Sequence, residues 1–132
     1  MAIVFDAEPF LAMFLGEPGG AETRDLLKQV ASGQEEAWVS VVNLAEIAHQ
    51  LMGKAPRYAN DLMNWIAEAG VMPASVDGLW LRAAAIKAAY GVGLADAFAL
   101  ATAEHLDARL IVRSDPDFQV AARLGVRLHR VK

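Results

Sequence analysis

Apolar residues come in two rhythms along this chain, short unbroken runs and longer stretches at helical spacing. The run Ala2-Ile3-Val4-Phe5 predicts a strand over 2–5, because a strand covered on both faces reads as a continuous apolar run. Asp6 to Leu15 predicts a helix, stopped by Gly16-Glu17-Pro18-Gly19-Gly20, a cluster that breaks helices and favours turns. Leu26, Leu27 and Val30 repeat at helical spacing and predict a second helix over 21–32. Trp38-Val39-Ser40 predicts a strand that turns into a helix over 41–52, and a further helix over 56–69 carries Leu62, Met63, Trp65 and Ile66. Val71-Met72-Pro73-Ala74 reads as a weak strand, and helices over 77–90 and 94–106 flank Gly91-Val92-Gly93. Leu110-Ile111-Val112 predicts a buried strand and Val126-Arg127-Leu128-His129 the last one. Short apolar strands alternating with helices imply an α/β fold, with a short, mainly parallel sheet and helices on both faces.

The chain of 132 residues has no repeat and no linker long enough to divide it. It is expected to form a single domain over 1–132, large enough for one core. It contains no cysteine, which excludes disulfides and thiolate metal sites. The longest stretch free of Asp, Glu, Lys and Arg is nine residues, Ala37 to Ala45, too short to span a membrane as a helix. No basic region precedes an apolar one at the N-terminus, so the expectation is a cytoplasmic protein with no secretory signal and no membrane association.

Charge changes the picture through its placement. Four carboxylates stand in or beside apolar segments. Asp6 follows the first strand, Glu46 lies within Val41-Val42-Asn43-Leu44-Ala45-Glu46-Ile47-Ala48, Asp96 within Leu94-Ala95-Asp96-Ala97-Phe98, and Asp115 follows Arg113-Ser114 after a strand. A lone carboxylate is costly to bury. Several carboxylates with few basic neighbours share a hard divalent cation most readily. With these four set aside, the remaining acidic and basic residues number 12 each, so the net charge of -4 does not exclude nucleic acid. Six of the 12 basic residues fall in the last 24 positions, either a solvated surface or a phosphate-contacting face.

In open parallel sheets, ligands bind beyond the carboxyl ends of the strands. Asp6 and Asp115 belong there, Glu46 and Asp96 stand near helix starts, and Asn43, three residues before Glu46, shares its helix face. Each position also has a purely structural use. Asp6 and Asp115 suit helix N-caps, with Pro116 at the first helical position after Asp115. Asp96 suits a helix start through the macrodipole, and Glu46 suits an exposed point on a half-buried helix. His49, His105 and His129 lack metal-ligand spacing, and Trp38, Trp65 and Trp80 read as core or subunit-interface residues.

Four segments, in order, resemble the motifs of the PIN-domain family, in particular VapC-type toxin ribonucleases of bacterial toxin–antitoxin pairs. They are Ile3-Val4-Phe5-Asp6-Ala7, Ser40-Val41-Val42-Asn43-Leu44-Ala45-Glu46, Leu94-Ala95-Asp96-Ala97-Phe98-Ala99-Leu100-Ala101-Thr102-Ala103 and Ser114-Asp115-Pro116-Asp117-Phe118. The resemblance covers nearly the whole chain and implies a three-layer α/β/α sandwich. It implies an endoribonuclease that hydrolyses RNA phosphodiester bonds with one or two Mg2+ or Mn2+ ions. In that role Asp6 and Asp96 are the main metal ligands, while Glu46 and Asp115 complete the site directly or through water. Asn43 orients a ligand or water, and Ser114 and Asp117 are supporting residues, although Asp117 also reads as a surface residue in a Pro-containing turn. The implied partners are a cognate antitoxin and a second copy of the chain, docked through residues 21–32 and 56–69.

Two positions depart from the family pattern. Arg113 stands where a threonine or serine hydroxyl is usual, able either to block the metal position or to contact substrate phosphate, and Gly93 stands where serine is frequent. A second reading is therefore a catalytically impaired PIN-like module that binds RNA or protein. A third, a phosphohydrolase using Asp6, is disfavoured because Asp6-Ala7-Glu8 lacks a second aspartate to act as acid.

Overall fold

The computed structural model describes all 132 residues. Its strands are β1 (Ala2–Phe5), β2 (Glu36–Ser40), β3 (Met72–Ala74), β4 (Arg109–Val112) and β5 (Leu128–Arg130). They form one sheet in the order β3-β2-β1-β4-β5, with every pair parallel. The chain first builds outward from β1 on one side, then crosses back to set β4 on the other. That reversal leaves a crevice at the carboxyl ends of β1 and β4.

Six α-helices cover the sheet: α1 (Ala7–Leu15), α2 (Gly20–Ala31), α3 (Val41–Lys54), α4 (Ala59–Glu68), α5 (Trp80–Tyr90) and α6 (Leu94–Leu106). Strand pleating divides the core in two. Ile3 and Phe5 of β1 and Ile111 of β4 pack with Phe10, Leu26, Ile47 and Ile66 from α1 to α4. Val4, Leu110 and Val112 point the other way, onto Ile86 of α5 and the buried residues of α6. The result is the expected three-layer α/β/α sandwich. In α6 every residue from Ala97 to Ala103 is buried, and the four alanines of that stretch let the helix lie close to the sheet. No single helix is long and apolar enough to cross a membrane.

The boundaries follow local chemistry. Ser40 ends β2 and caps α3, its hydroxyl accepting from the Val42 amide at 3.2 Å. The helix expected from 77 starts at Trp80, because Ser75 accepts from the Asp77 amide at 3.1 Å and holds a turn there. The last strand is shifted to 128–130, since Val126 is buried in the core and its amide bonds to Ala121 O. A 3-10 helix over Pro116–Leu124, which the apolar pattern did not predict, buries Phe118 and Ala121.

Between α1 and α2 the backbones touch. A Cβ built on Gly20 would meet the Ala12 carbonyl oxygen at 2.7 Å and Met13 Cα at 2.8 Å. Backbone cannot yield as a flexible side chain does, so Gly20→Ala is expected to cost ~1–3 kcal/mol, read as a lowered midpoint in urea unfolding. An unchanged midpoint would show that the two helices separate without cost.

Candidate active site

Asp6 lies directly after β1 and is 2% exposed. It caps α1: Oδ2 accepts from the Glu8 amide at 3.5 Å. The other oxygen, Oδ1, is buried with no partner. Burial, reinforced by the neighbouring Glu46 and Glu8, pushes the Asp6 carboxyl up to about 7, although the Ala7 and Glu8 amides pull it down.

Asn43 and Glu46 come from the first two turns of α3. Asn43 is fully buried, and its Nδ2 donates to Glu46 Oε1 at 3.4 Å and to the Ala95 carbonyl at 3.2 Å. The amide therefore ties α3 to the start of α6. Its Oδ1, like Asp6 Oδ1, is buried without a partner. Glu46 is half-buried; burial raises its carboxyl above the usual range, with Glu8 and Asp115 adding to the rise against the Asn43 hydrogen bond.

Asp96 sits in the first turn of α6 and Asp115 caps the 3-10 helix, Oδ1 accepting from the Asp117 amide at 2.9 Å. Each of Asp96, Asp115 and Asp117 offers a carboxylate oxygen within 4.8 Å of the others, a cluster one cation can bridge. Asp96 is pushed up to about 8, first by burial, then by a hydrogen bond shared with Asp117 and by the charges of Asp6, Asp115 and Asp117. Asp117 is held low by the Gly93 amide, which donates to its Oδ2 at 2.9 Å, and by the same bond to Asp96. Asp117 thus joins the acidic cluster rather than standing apart in a turn. The signal for it was in the sequence: Asp115-Pro116 marks a helix start, and two residues on places a carboxylate back beside the cap.

Asp96, Asp115 and Asp117 thus form one tight group, while Asp6 and Glu46 stand near enough to feel its charges without being part of it. Arg113 does not sit among them. Its Nη1 lies 3.8 Å from Glu8 Oε2 and 3.8 Å from Glu17 Oε1. Ser114 is exposed and lines a cavity beside the cluster. A Cβ at Gly93 would meet Asp96 Oδ2 at 3.4 Å, so the position has room for a side chain beside the carboxylates. The donor set is entirely oxygen, and two of its buried oxygens are unpartnered. Such a set fits a hard divalent cation such as Mg2+ or Mn2+, with Asp96, Asp115 and Asp117 close enough to share it and Asp6 and Glu46 near them.

A family model described as PIN domain matches residues 3–124. The chain belongs to the PIN domain family. Among solved structures, one described as a toxin–antitoxin complex from Klebsiella pneumoniae is 22% identical over 88% of this chain and 89% of that one, with a TM-score of 0.62. A crystal structure of VapBC2 from Rickettsia felis bound to a DNA fragment from its promoter is 12% identical and covers 100% of both chains, with a TM-score of 0.73. Among curated protein sequences, none matches the chain.

Proposed function

We propose that this chain is a metal-dependent endoribonuclease, the toxin of a VapBC-type toxin–antitoxin pair. The observation that carries the reading is the group of Asp96, Asp115 and Asp117 carboxylates close enough to share one cation, with the buried, unpartnered Asp6 Oδ1 and Asn43 Oδ1 nearby. A fold that holds repelling carboxyls at such a cost has a use for them. When bound, Mg2+ or Mn2+ supplies an activated water and neutralises charge developing on a phosphate.

The protein's own residues set the stage for that chemistry. Asn43 holds the Glu46 carboxylate and fixes α3 against α6. Asp117 ties the Asp115 loop to the start of α6 through the Gly93 amide, so Asp96 and Asp115 keep their spacing. The impaired-module reading has Arg113 filling the metal position; its placement 3.8 Å from Glu8 and Glu17 favours the active-enzyme reading instead.

A protein antitoxin is the partner this reading implies. The cleft between α2 and α4 has apolar room for it, with adjoining cavities of about 400 Å³ and about 320 Å³ that share Arg24 and Trp65. The homodimer expected through residues 21–32 and 56–69 would use the same face. A second copy and the antitoxin would then compete, and light scattering with and without antitoxin separates them.

The test of the function is direct. Because only the folded chain gathers the ligands, Mg2+ or Mn2+ at ~100 times its dissociation constant should stabilise the protein by about 2.7 kcal/mol, and the same ions should switch on cleavage of single-stranded RNA. Cleavage undiminished in chelator would sink the proposal.

A further inference from the structure

We infer that the cavity beside the acidic cluster seats a second phosphate of the RNA strand, held by Arg130 and Lys132. The inference rests on the ribonuclease reading above. The cavity measures about 520 Å³, and its wall includes Arg113, Ser114, Gln119, Arg130 and Lys132. It also includes Pro116, so both chain neighbours of Asp115 face it. Cavity and cluster thus share one loop, which is the ground for placing a neighbouring phosphate of the strand in the cavity.

The charges on this wall are unequal in their partners. Arg113 is offset by Glu8 and Glu17. Arg130, half-buried at the end of β5, meets no carboxylate; its Nη1 donates to the carbonyls of Arg113 at 3.3 Å and Asp115 at 3.2 Å. A guanidinium carries five donors in a planar fork, so two carbonyls on one nitrogen leave Nε and Nη2 to bind an oxyanion. The Lys132 ammonium forms no close ion pair, although its charge helps hold the Glu22 carboxyl low and its backbone amide is anchored to Glu22 Oε1 at 3.0 Å. Arg130, which no carboxylate offsets, and Lys132, whose charge Glu22 meets only at longer range, stand on one concave wall with neutral donors from Ser114 and Gln119 and form a phosphate seat. They also offset the repulsion that the carboxylates exert on an incoming strand.

Arg130 has a positioning effect as well, since its two hydrogen bonds fix the backbone on either side of Ser114. The test therefore separates charge from scaffolding. Binding of a fluorescent single-stranded RNA is measured in chelator, where no metal-dependent cleavage occurs, over a salt series. The doubly substituted chain, Arg130→Gln with Lys132→Gln, should lower the slope of log affinity against log salt by about 1.4, at about 0.7 per lost contact on a single strand. Arg130→Lys should keep the slope, because it keeps the charge, and Lys54→Gln at the far end of α3 should not change it. A slope unchanged in the double variant, or equally reduced by Arg130→Lys, overturns the inference. RNA cleavage with Mg2+ is read in parallel on the wild type. Cleavage with an unchanged slope leaves the nuclease reading standing and removes the phosphate seat, whereas a reduced slope without cleavage does the reverse. No RNA binding at all removes both.

Discussion

Asp6→Asn should lose Mg2+- or Mn2+-dependent RNA cleavage by ~10³-fold or more, the scale on which a central electrostatic contact acts, and should gain stability when metal is absent. The amide keeps the side chain's shape and sheds the charge that Glu46 and Glu8 oppose. The pH dependence gives the sign independently. The unfolded chain releases the Asp6 proton near 3.8, while the folded chain holds it to about 7. Between those values folding takes up a proton, so the stability of the metal-free wild type falls as pH rises through that window. The loss is on the order of a few kcal/mol by linkage. Asp6→Asn should flatten the fall and melt higher than wild type at pH 8 in chelator. Thermal melts across pH, beside a cleavage assay, read both effects. A variant that melts lower at pH 8, or that still cleaves, contradicts the role given to Asp6.

The second large effect is expected at Phe118, which touches no substrate. It is fully buried in the core under α6 and anchors the 3-10 helix whose first turn follows Asp115 and contains Asp117. Phe118→Ala should cost ~3–5 kcal/mol, a large share of the ~5–15 kcal/mol that holds a domain of this size folded. Activity should fall further than the folded fraction accounts for, because the same loop carries two carboxylates. Denaturant titration and a cleavage assay at a temperature where the variant remains folded separate the two. Activity proportional to the folded fraction would show that the loop keeps its shape without its anchor.

The reading from sequence succeeded where burial writes a period into the chain. Continuous apolar runs marked β1 and β4, and Gly16 to Gly20 marked the break between α1 and α2. The carboxylates were legible for a related reason: acids after apolar strands lie on the carboxyl edge of a parallel sheet. Capping and a place in the cluster, weighed as alternatives for Asp6 and Asp115, coexist at Asp115. One Asp6 oxygen caps α1 while the other stays free, and Asp115 caps its own helix within the acidic group. The 3-10 helix escaped detection because only Phe118 and Ala121 of its nine residues are buried, too few for a helical period. The direction of Arg113 was recoverable from pleating. Leu110 and Val112 face α5 and α6, so Ile111, and by alternation Arg113, face α1 and the turn after it, where Glu8 and Glu17 stand.

The sheet's two borders restrict how any partner attaches. β3 and β5, the outermost strands, are three residues long, and the middle residue of β3 is Pro73, which has no amide hydrogen to offer. A guest peptide adding itself as a sixth strand needs a row of free backbone donors and acceptors, and neither border supplies one. Recognition of this protein by another must therefore be read from helix surfaces and side chains, and strand-mimicking inhibitors are the wrong chemistry to design against it.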